Sequence, residues 1–424
     1  MTPAARIQAA VEILDALSNT AQAADALLRD WFRARRYAGS KDRAAITERV
    51  YSVLRHRASF SWRMKNEQAR SLLIAALLAE GQSADEIGQL FSGSGYGPQP
   101  LTEDERSAIH SPPADAPPLH VLGEYPQWLE HELHRAFGAD LLQEIQAISA
   151  RAPVDLRVNS LRAEREAMLT GLRSLDVRAE PTPYSPSGIR VASAEGLGLL
   201  QHTQFFQTGA FEFQDEASQL VAYLCAPKAR NRVLDLAAGA GGKSLALAAL
   251  MGNKGEIVAF DGDARRLKQL SPRARRAGAT IIKIAERRGG PVWGNGKFDI
   301  VLVDAPCSGS GAWRRNPELK WRLTPERLKE LVELQTWLID DGARHTISGG
   351  RLIYATCSLL PSENEDVIEL FLKRTQAFRV VPASQVWRDA GLGEPPLTVR
   401  QYFRAGPHST ATDGFFACIM EHRT

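Results

Sequence analysis

Leu234–Ser244 reads LDLAAGAGGKS. A short apolar run ends in an acid, Asp235, and passes at once into small residues and three glycines, Gly239, Gly241 and Gly242. This is the pattern of a buried strand turning into a helix, with glycines where the backbone must come close to a ligand. Three ligand classes compete for it. A phosphate-binding Walker loop requires a glycine five positions before Gly242, where Ala237 stands. A dinucleotide G-x-G-x-x-G pattern fits Gly239 and Gly241 but meets Ser244 in its last place. A loop for S-adenosylmethionine calls for the acid ahead of the glycines and a second acid at the end of the next strand, to accept from ribose hydroxyls. Asp235 and Asp261, the latter in IVAFDGD, supply both.

Working outward, the strand candidates RVLDLA, EIVAFD, TIIKIA, FDIVLVDAP and RLIYATC alternate with segments long enough for helices. That alternation predicts an α/β domain over 206–424, with a parallel sheet and right-handed crossovers. Thr324 and Pro325 are placed to cap and start one of its helices. DGFFACIMEH near the end reads as a closing strand pair at the sheet edge. Upstream, VDLRVNSL, EREAMLTGLRSL and GIRVAS read as strand, helix and strand, a small α+β unit within 126–205 that opens with the helical pattern of 127–148. Residues 1 to about 92 place apolar residues three and four apart, as helices do. With the Pro/Gly-rich stretch of 93–118, read as a long loop, they form a helical domain over 1–125.

Bulk composition sets the outer limits. The chain has 424 residues, 44% hydrophobic and 24% charged, which predicts two or three globular domains. The longest apolar run, LLIAALLA, is too short to span a bilayer, and the amino terminus lacks a secretory pattern. Four widely spaced cysteines do not make a disulfide framework and suit a reducing, cytoplasmic setting. Residues 1–70 hold 13 Lys and Arg against 7 Asp and Glu, so the basic charge is concentrated where a polyanion such as nucleic acid would bind. No membrane or metal partner is expected, and the chain is expected to act as a monomer.

Two cysteines stand out. Cys307, in VDAPCSGSG, and Cys357, in YATCS, each follow the carboxyl end of a predicted strand, the edge where open α/β sheets bind ligands. Cys225 and Cys418 lie in apolar surroundings that read as core. A zinc site wants paired ligands, and a zinc deaminase wants P-C-x-x-C; after Pro306-Cys307 come Ser308, Gly309 and Ser310. A methyl donor beside two thiols instead fits methylation at carbon 5 of a pyrimidine. A thiolate adding to carbon 6 makes carbon 5 nucleophilic; an acid must assist at the ring nitrogen, and a base must take the last proton. Such a thiolate needs its pKa lowered by roughly 1 unit or more, and Lys243 or Arg314 could supply the charge. Asp304, beside Cys307, could be the acid. Spacing alone leaves open which cysteine attacks.

In order, QDEASQLVA, LDLAAGAGGKS, VAFD with RRLKQL, VDAPCSGSG with RRNPELKW, YATCSLLPSENE and DGFF resemble the RsmB/Nop2/Sun RNA cytosine-5 methyltransferases, over about 205–424. DNA cytosine methyltransferases differ, since their nucleophile is the proline-cysteine cysteine and no TCS follows. The resemblance implies a Rossmann-like class I methyltransferase domain using S-adenosyl-L-methionine. It makes Cys357 the nucleophile, Cys307 the thiol that helps release product, and Asp304 a contact of the cytosine ring lying near the cofactor. Ala237, Ala238, Gly239, Ala240, Gly241, Gly242 and Lys243 would wrap the cofactor, with Asp261 on its ribose. The small α+β unit resembles the RNA-recognition-like unit of this family, carrying LRVN. Residues 1 to about 92, with ITERVYSVLRHR, resemble the NusB-like helical RNA-binding domain of the bacterial RsmB branch. Small-subunit ribosomal RNA is therefore the expected substrate, transfer RNA the alternative and DNA not a partner. Trp313 and Trp321 suit base stacking or core filling equally. The chain departs from the family at Ala237, often cysteine, at Ser244, usually threonine, and after TIIKIA, where an aspartate is usual and only Glu286 follows. That departure is the one feature favouring a non-catalytic RNA-binding factor on the same scaffold.

Overall fold

The computed structural model describes residues 1–192, 197–285 and 296–424. The chain divides into two compact units, Met1–Ala150 with Trp313–Leu323, and Arg151–Ala312 with Thr324–Thr424.

The first unit is helical among its described residues. Thr2 accepts from the backbone N–H of Ala5 and Pro3 begins the helix Pro3–Ser18, the arrangement that satisfies a helix start. Helices Ala24–Ala34, Ser40–Arg55 and Ala69–Ala79 follow, and the last is buried almost all round, which accounts for the LLIAALLA run. The stretch expected to be one long loop holds a helix, Glu103–His110. Thr102 and Glu105 bond each other's backbone N–H, a reciprocal cap that overrides the proline-rich surroundings. The helical pattern of 127–148 breaks at Gly138, which takes a positive φ of 54°, into Glu130–Phe137 and Leu141–Ser149.

Trp313–Leu323 joins this unit from far along the chain. Its helix Pro317–Arg322 closes the ends of three others. Glu318 accepts from Ala24 N (3.0 Å), the Trp321 indole donates to Leu54 O (2.7 Å), and Arg322 donates to Gln22 O and Leu17 O (3.0 Å each). Ala24 N, Leu54 O and Leu17 O are groups that helix termini leave open, while Gln22 O lies in the connection between the first two helices. Trp313 is fully buried, so it fills core.

The second unit holds two sheets. In the smaller, β1 (Val154–Val158), β2 (Ala179–Pro181), β3 (Gly188–Val191) and β4 (Phe211–Phe213) run antiparallel in the order β2-β3-β1-β4, with helix Arg165–Arg173 packing Met168, Leu169 and Leu172 into their core. The larger comprises β5 (Arg232–Asp235), β6 (Glu256–Ala259), β7 (Ile282–Ile284), β8 (Phe298–Asp304), β9 (Thr346–Thr356), β10 (Phe378–Val381), β11 (Phe403–Ala405) and β12 (Phe415–His422). Its order is β10-β12-β9-β8-β5-β6-β7, with β11 on β12. Strands β5 to β9 are mutually parallel, while β12 runs antiparallel to β9. The closing strand is therefore not at the edge, as expected from sequence. It lies inside the sheet with β10 beyond it, which explains its unbroken FFACIM burial.

Asn159, just past β1, donates its amide to Gly209 O ahead of β4 and to Ala277 O at the end of helix Leu270–Ala277, at 2.8 Å each. Glu216, fully buried, accepts from the N–H groups of Tyr184 (2.6 Å) and Ser185 (2.7 Å).

Candidate active site

Two loops carry the chemistry, and both leave the carboxyl ends of neighbouring parallel strands. β8 and β9 pair from Ile300 with Arg351 to Asp304 with Ala355. Past that pairing, Ala305 N donates to Ala355 O (2.8 Å) and Gly311 N to Cys357 O (2.9 Å), so the two loops continue side by side. Gly311 must be glycine: a Cβ there would lie 2.0 Å from Gly414 O, whose own N–H donates to Gly311 O. The result puts Cys307 Sγ and Cys357 Sγ 3.4 Å apart, both part-exposed. Cys225 and Cys418 are buried, as core cysteines should be.

The adjoining Cys357 sulfur first, then burial and the charge of Glu363, hold the Cys307 thiol well above the ordinary thiol range. Either sulfur can donate in the sulfur–sulfur contact.

Asp304, at the end of β8, accepts from Lys243 Nζ at 2.6 Å. Lys243 lies in the first turn of helix Gly242–Leu250, over the Phe415 ring at 5.1 Å. Burial opposes its charge, but Asp304 and, further off, Cys357 outweigh that and raise its pKa. A buried cation is thereby kept beside the thiol pair.

The glycine loop sits at the carboxyl end of β5. Gly239 (φ 55°) and Gly241 (φ 83°) take the left-handed region, which favours glycine. Gly239 N donates to Asp261 Oδ2 (2.7 Å), and Asp263 N to Asp261 Oδ1 (2.7 Å), which fixes the second acid at the end of β6. Ser244 donates to Asp235 Oδ2 (2.6 Å), whereas Asp235 Oδ1 is buried without a partner. Burial, above all, pushes Asp235 up to about 7. An orphaned carboxylate oxygen, a glycine cradle and a second acid fit a cofactor with a cationic amino acid end and a ribose. The aspartate missing after TIIKIA is indeed absent from β7 (Ile282–Ile284), while Glu286 lies outside the described residues.

Glu363 was not singled out by sequence. Buried completely, it accepts from Ser308 N (2.8 Å), Ser308 Oγ (2.5 Å), Ser358 Oγ and Gln335 Nε2 (3.0 Å). Ser308 follows Cys307 and Ser358 follows Cys357, so one carboxylate ties both thiol loops together. Its only mark in the sequence was an acid six residues after Cys357. Arg314, considered as a source of charge for the thiols, belongs to the helical unit.

Known proteins resemble this chain across both of its sheets. Residues 222–421 match the family model for 16S rRNA methyltransferase RsmB/F, and 125–196 match the RsmF/B-like ferredoxin-like domain. A probable ribosomal RNA small subunit methyltransferase B of Bacillus subtilis (strain 168) is 33% identical over 76% of this chain and 72% of its own length. The ribosomal RNA small subunit methyltransferase B of Photorhabdus laumondii is 35% identical over 59% of this chain and 58% of its own. Among solved structures, PH0851 superposes with a TM-score of 0.78 at 25% identity, covering 99% of both chains. Among the described residues, no helix is long and apolar enough to cross a membrane. The chain belongs to the RsmB/F family of RNA methyltransferases, whose methyl donor is S-adenosylmethionine.

Proposed function

We propose that this enzyme methylates carbon 5 of a cytosine in small-subunit ribosomal RNA, in the cytoplasm, through a covalent bond between Cys357 and carbon 6. The observation that carries this is the 3.4 Å approach of Cys307 and Cys357 sulfurs at the ends of adjacent parallel strands. A single thiol there would suit many chemistries; two thiols in hydrogen-bond contact suit one that adds sulfur and then expels it. The relatives named as ribosomal RNA small subunit methyltransferase B favour that RNA.

S-adenosylmethionine, when bound, supplies an electrophilic methyl group. The residues to hold it are Ala237 to Lys243 along the loop, with Asp235 toward its cationic end and Asp261 on its ribose. Cys357 Sγ adds to carbon 6 of the cytosine, and electron density moves to carbon 5. Asp304, held by Lys243, accepts from the exocyclic amino group of the ring, and the Lys243 charge offsets the negative charge that builds on the ring during that addition. Once carbon 5 carries the methyl group, a base, water included, takes its proton; the C–H electron pair forms the carbon 5–carbon 6 double bond, and the carbon–sulfur bond breaks with its pair returning to Cys357. Cys307 aids this departure by hydrogen bonding to the Cys357 thiolate. The target base must leave its stack to reach these groups.

The test is to incubate the full-length protein and S-adenosylmethionine with unmodified small-subunit RNA and, separately, transfer RNA, then map 5-methylcytosine by bisulfite sequencing. One converted-resistant cytosine in the ribosomal RNA is expected. A site in transfer RNA alone would reassign the substrate, and a methyl group on any other atom would refute the chemistry.

A further inference from the structure

Two loops that must present sulfurs to one pyrimidine need something to hold them at a fixed spacing. Backbone bonds join them at Gly311 N to Cys357 O, and Leu359 N bonds Ser310 Oγ (2.7 Å). The centre of the arrangement is nonetheless Glu363. Its Oε1 takes Ser308 N and Gln335 Nε2; its Oε2 takes both serine hydroxyls. The same Gln335 amide reaches Pro306 O (2.9 Å), on the other side of Cys307. A hydrophobic core could pack these loops, but it could not fix their register, since apolar contacts are non-directional. The donors to Glu363 are two serines and an amide, none charged. The clamp is therefore built of hydrogen bonds rather than an ion pair.

Ser308, which follows Cys307, donates to Glu363 through both its N–H and its hydroxyl, so a carboxylate there disfavours a second anion on Cys307.

We infer that Glu363 is a positioning residue of this site, locking the Cys307 and Cys357 loops together and setting a carboxylate beside Cys307. The role in turnover rests on the proposed cytosine chemistry; the effect on ionisation of Cys307 does not. Glu363→Gln keeps the volume but sets an amide N–H against donors, and it removes the charge.

The experiment has two arms, both on the full chain. In the first, Cys307 is alkylated with iodoacetamide across pH in a Cys357→Ala background, and its peptide is followed by mass spectrometry. Adding Glu363→Gln should shift the midpoint for Cys307 down by about 1 unit. An unchanged or raised midpoint overturns the electrostatic role. In the second, Glu363→Gln should lower kcat by about 100-fold, as a misplacement near 1 Å does, with S-adenosylmethionine affinity within about twofold of wild type. Wild-type kcat in a folded variant overturns the positioning role. Should Glu363→Gln not fold, Ser308→Ala and Ser358→Ala each remove one arm of the clamp, and each should lower kcat about tenfold; full activity in both overturns it. A wild-type enzyme that makes no 5-methylcytosine would refute the proposed function, while the alkylation shift still decides the role of Glu363.

Discussion

Asp235 predicts that cofactor affinity depends on pH. In the free protein its carboxyl, buried at the end of β5, is pushed up to about 7. Its Oδ2 is held by Ser244 and its Oδ1 has no partner. A cationic ligand end brought to Oδ1 favours the carboxylate, so binding must first remove the proton wherever it is present. With a free-state value near 7, about ten in eleven carboxyls are protonated at pH 6 and about one in eleven at pH 8. Apparent affinity should therefore rise about tenfold from pH 6 to pH 8, near 1.4 kcal/mol. Titration calorimetry at both pH values gives the ratio. Calorimetry at pH 6.5 in two buffers of different ionisation heat should also show proton release on binding. Asp235→Asn should bind more weakly and lose the pH dependence. In the free protein the linkage has the opposite sense: a raised acid pKa adds stability below about pH 4, and this is lost as pH rises through about 7. An affinity that is flat or falls between pH 6 and 8 in the wild type would refute the reasoning.

Three further outcomes follow from buried groups. Lys320, in the helical unit, is pushed down to about 8, first by burial, with Glu124 opposing and Arg55 assisting. The unfolded chain holds its proton up to about 10.5, so stability should rise with pH between about 8 and 10.5. Lys320→Met should add on the order of 3 kcal/mol at pH 7, read as a higher urea midpoint. Gly311→Ala forces a Cβ against Gly414 O and should slow turnover about 100-fold while cofactor affinity by calorimetry stays unchanged. Asn159→Ala strips the shared donor from Gly209 O and Ala277 O and should cost about 1–3 kcal/mol in urea unfolding.

The parts legible in the sequence are those that local chemistry dictates. Strands such as FDIVLVD are apolar on both faces because parallel strands are covered on both, and the loops at their ends must be small and polar. Thr324 and Pro325 begin their helix as read, with Thr324 accepting from Arg327 N at 3.2 Å. What was not legible depended on distant partners. The FFACIM strand carries no mark of whether it lies at an edge or inside, because β10 is set beside it by folding. Trp313–Leu323 sits between two catalytic motifs, yet its polar side chains are matched to helix ends some 300 residues away. Glu363 looks like one more acid in PSENE until four donors converge on it. The Thr102 cap was within reach, since T-x-x-E is a local signal, but the neighbouring prolines drew the reading to a loop.

The central claim is a division of labour between two sulfurs on one pyrimidine, and trapping tests it most directly. Cys307→Ala, incubated with S-adenosylmethionine and substrate RNA, should accumulate a protein–RNA species that survives denaturing electrophoresis, with the nucleotide mapped by mass spectrometry to Cys357. Cys357→Ala should form none and transfer no methyl group. A Cys357→Ala enzyme that still methylates RNA, or an adduct mapped to any residue other than Cys357, would contradict the account.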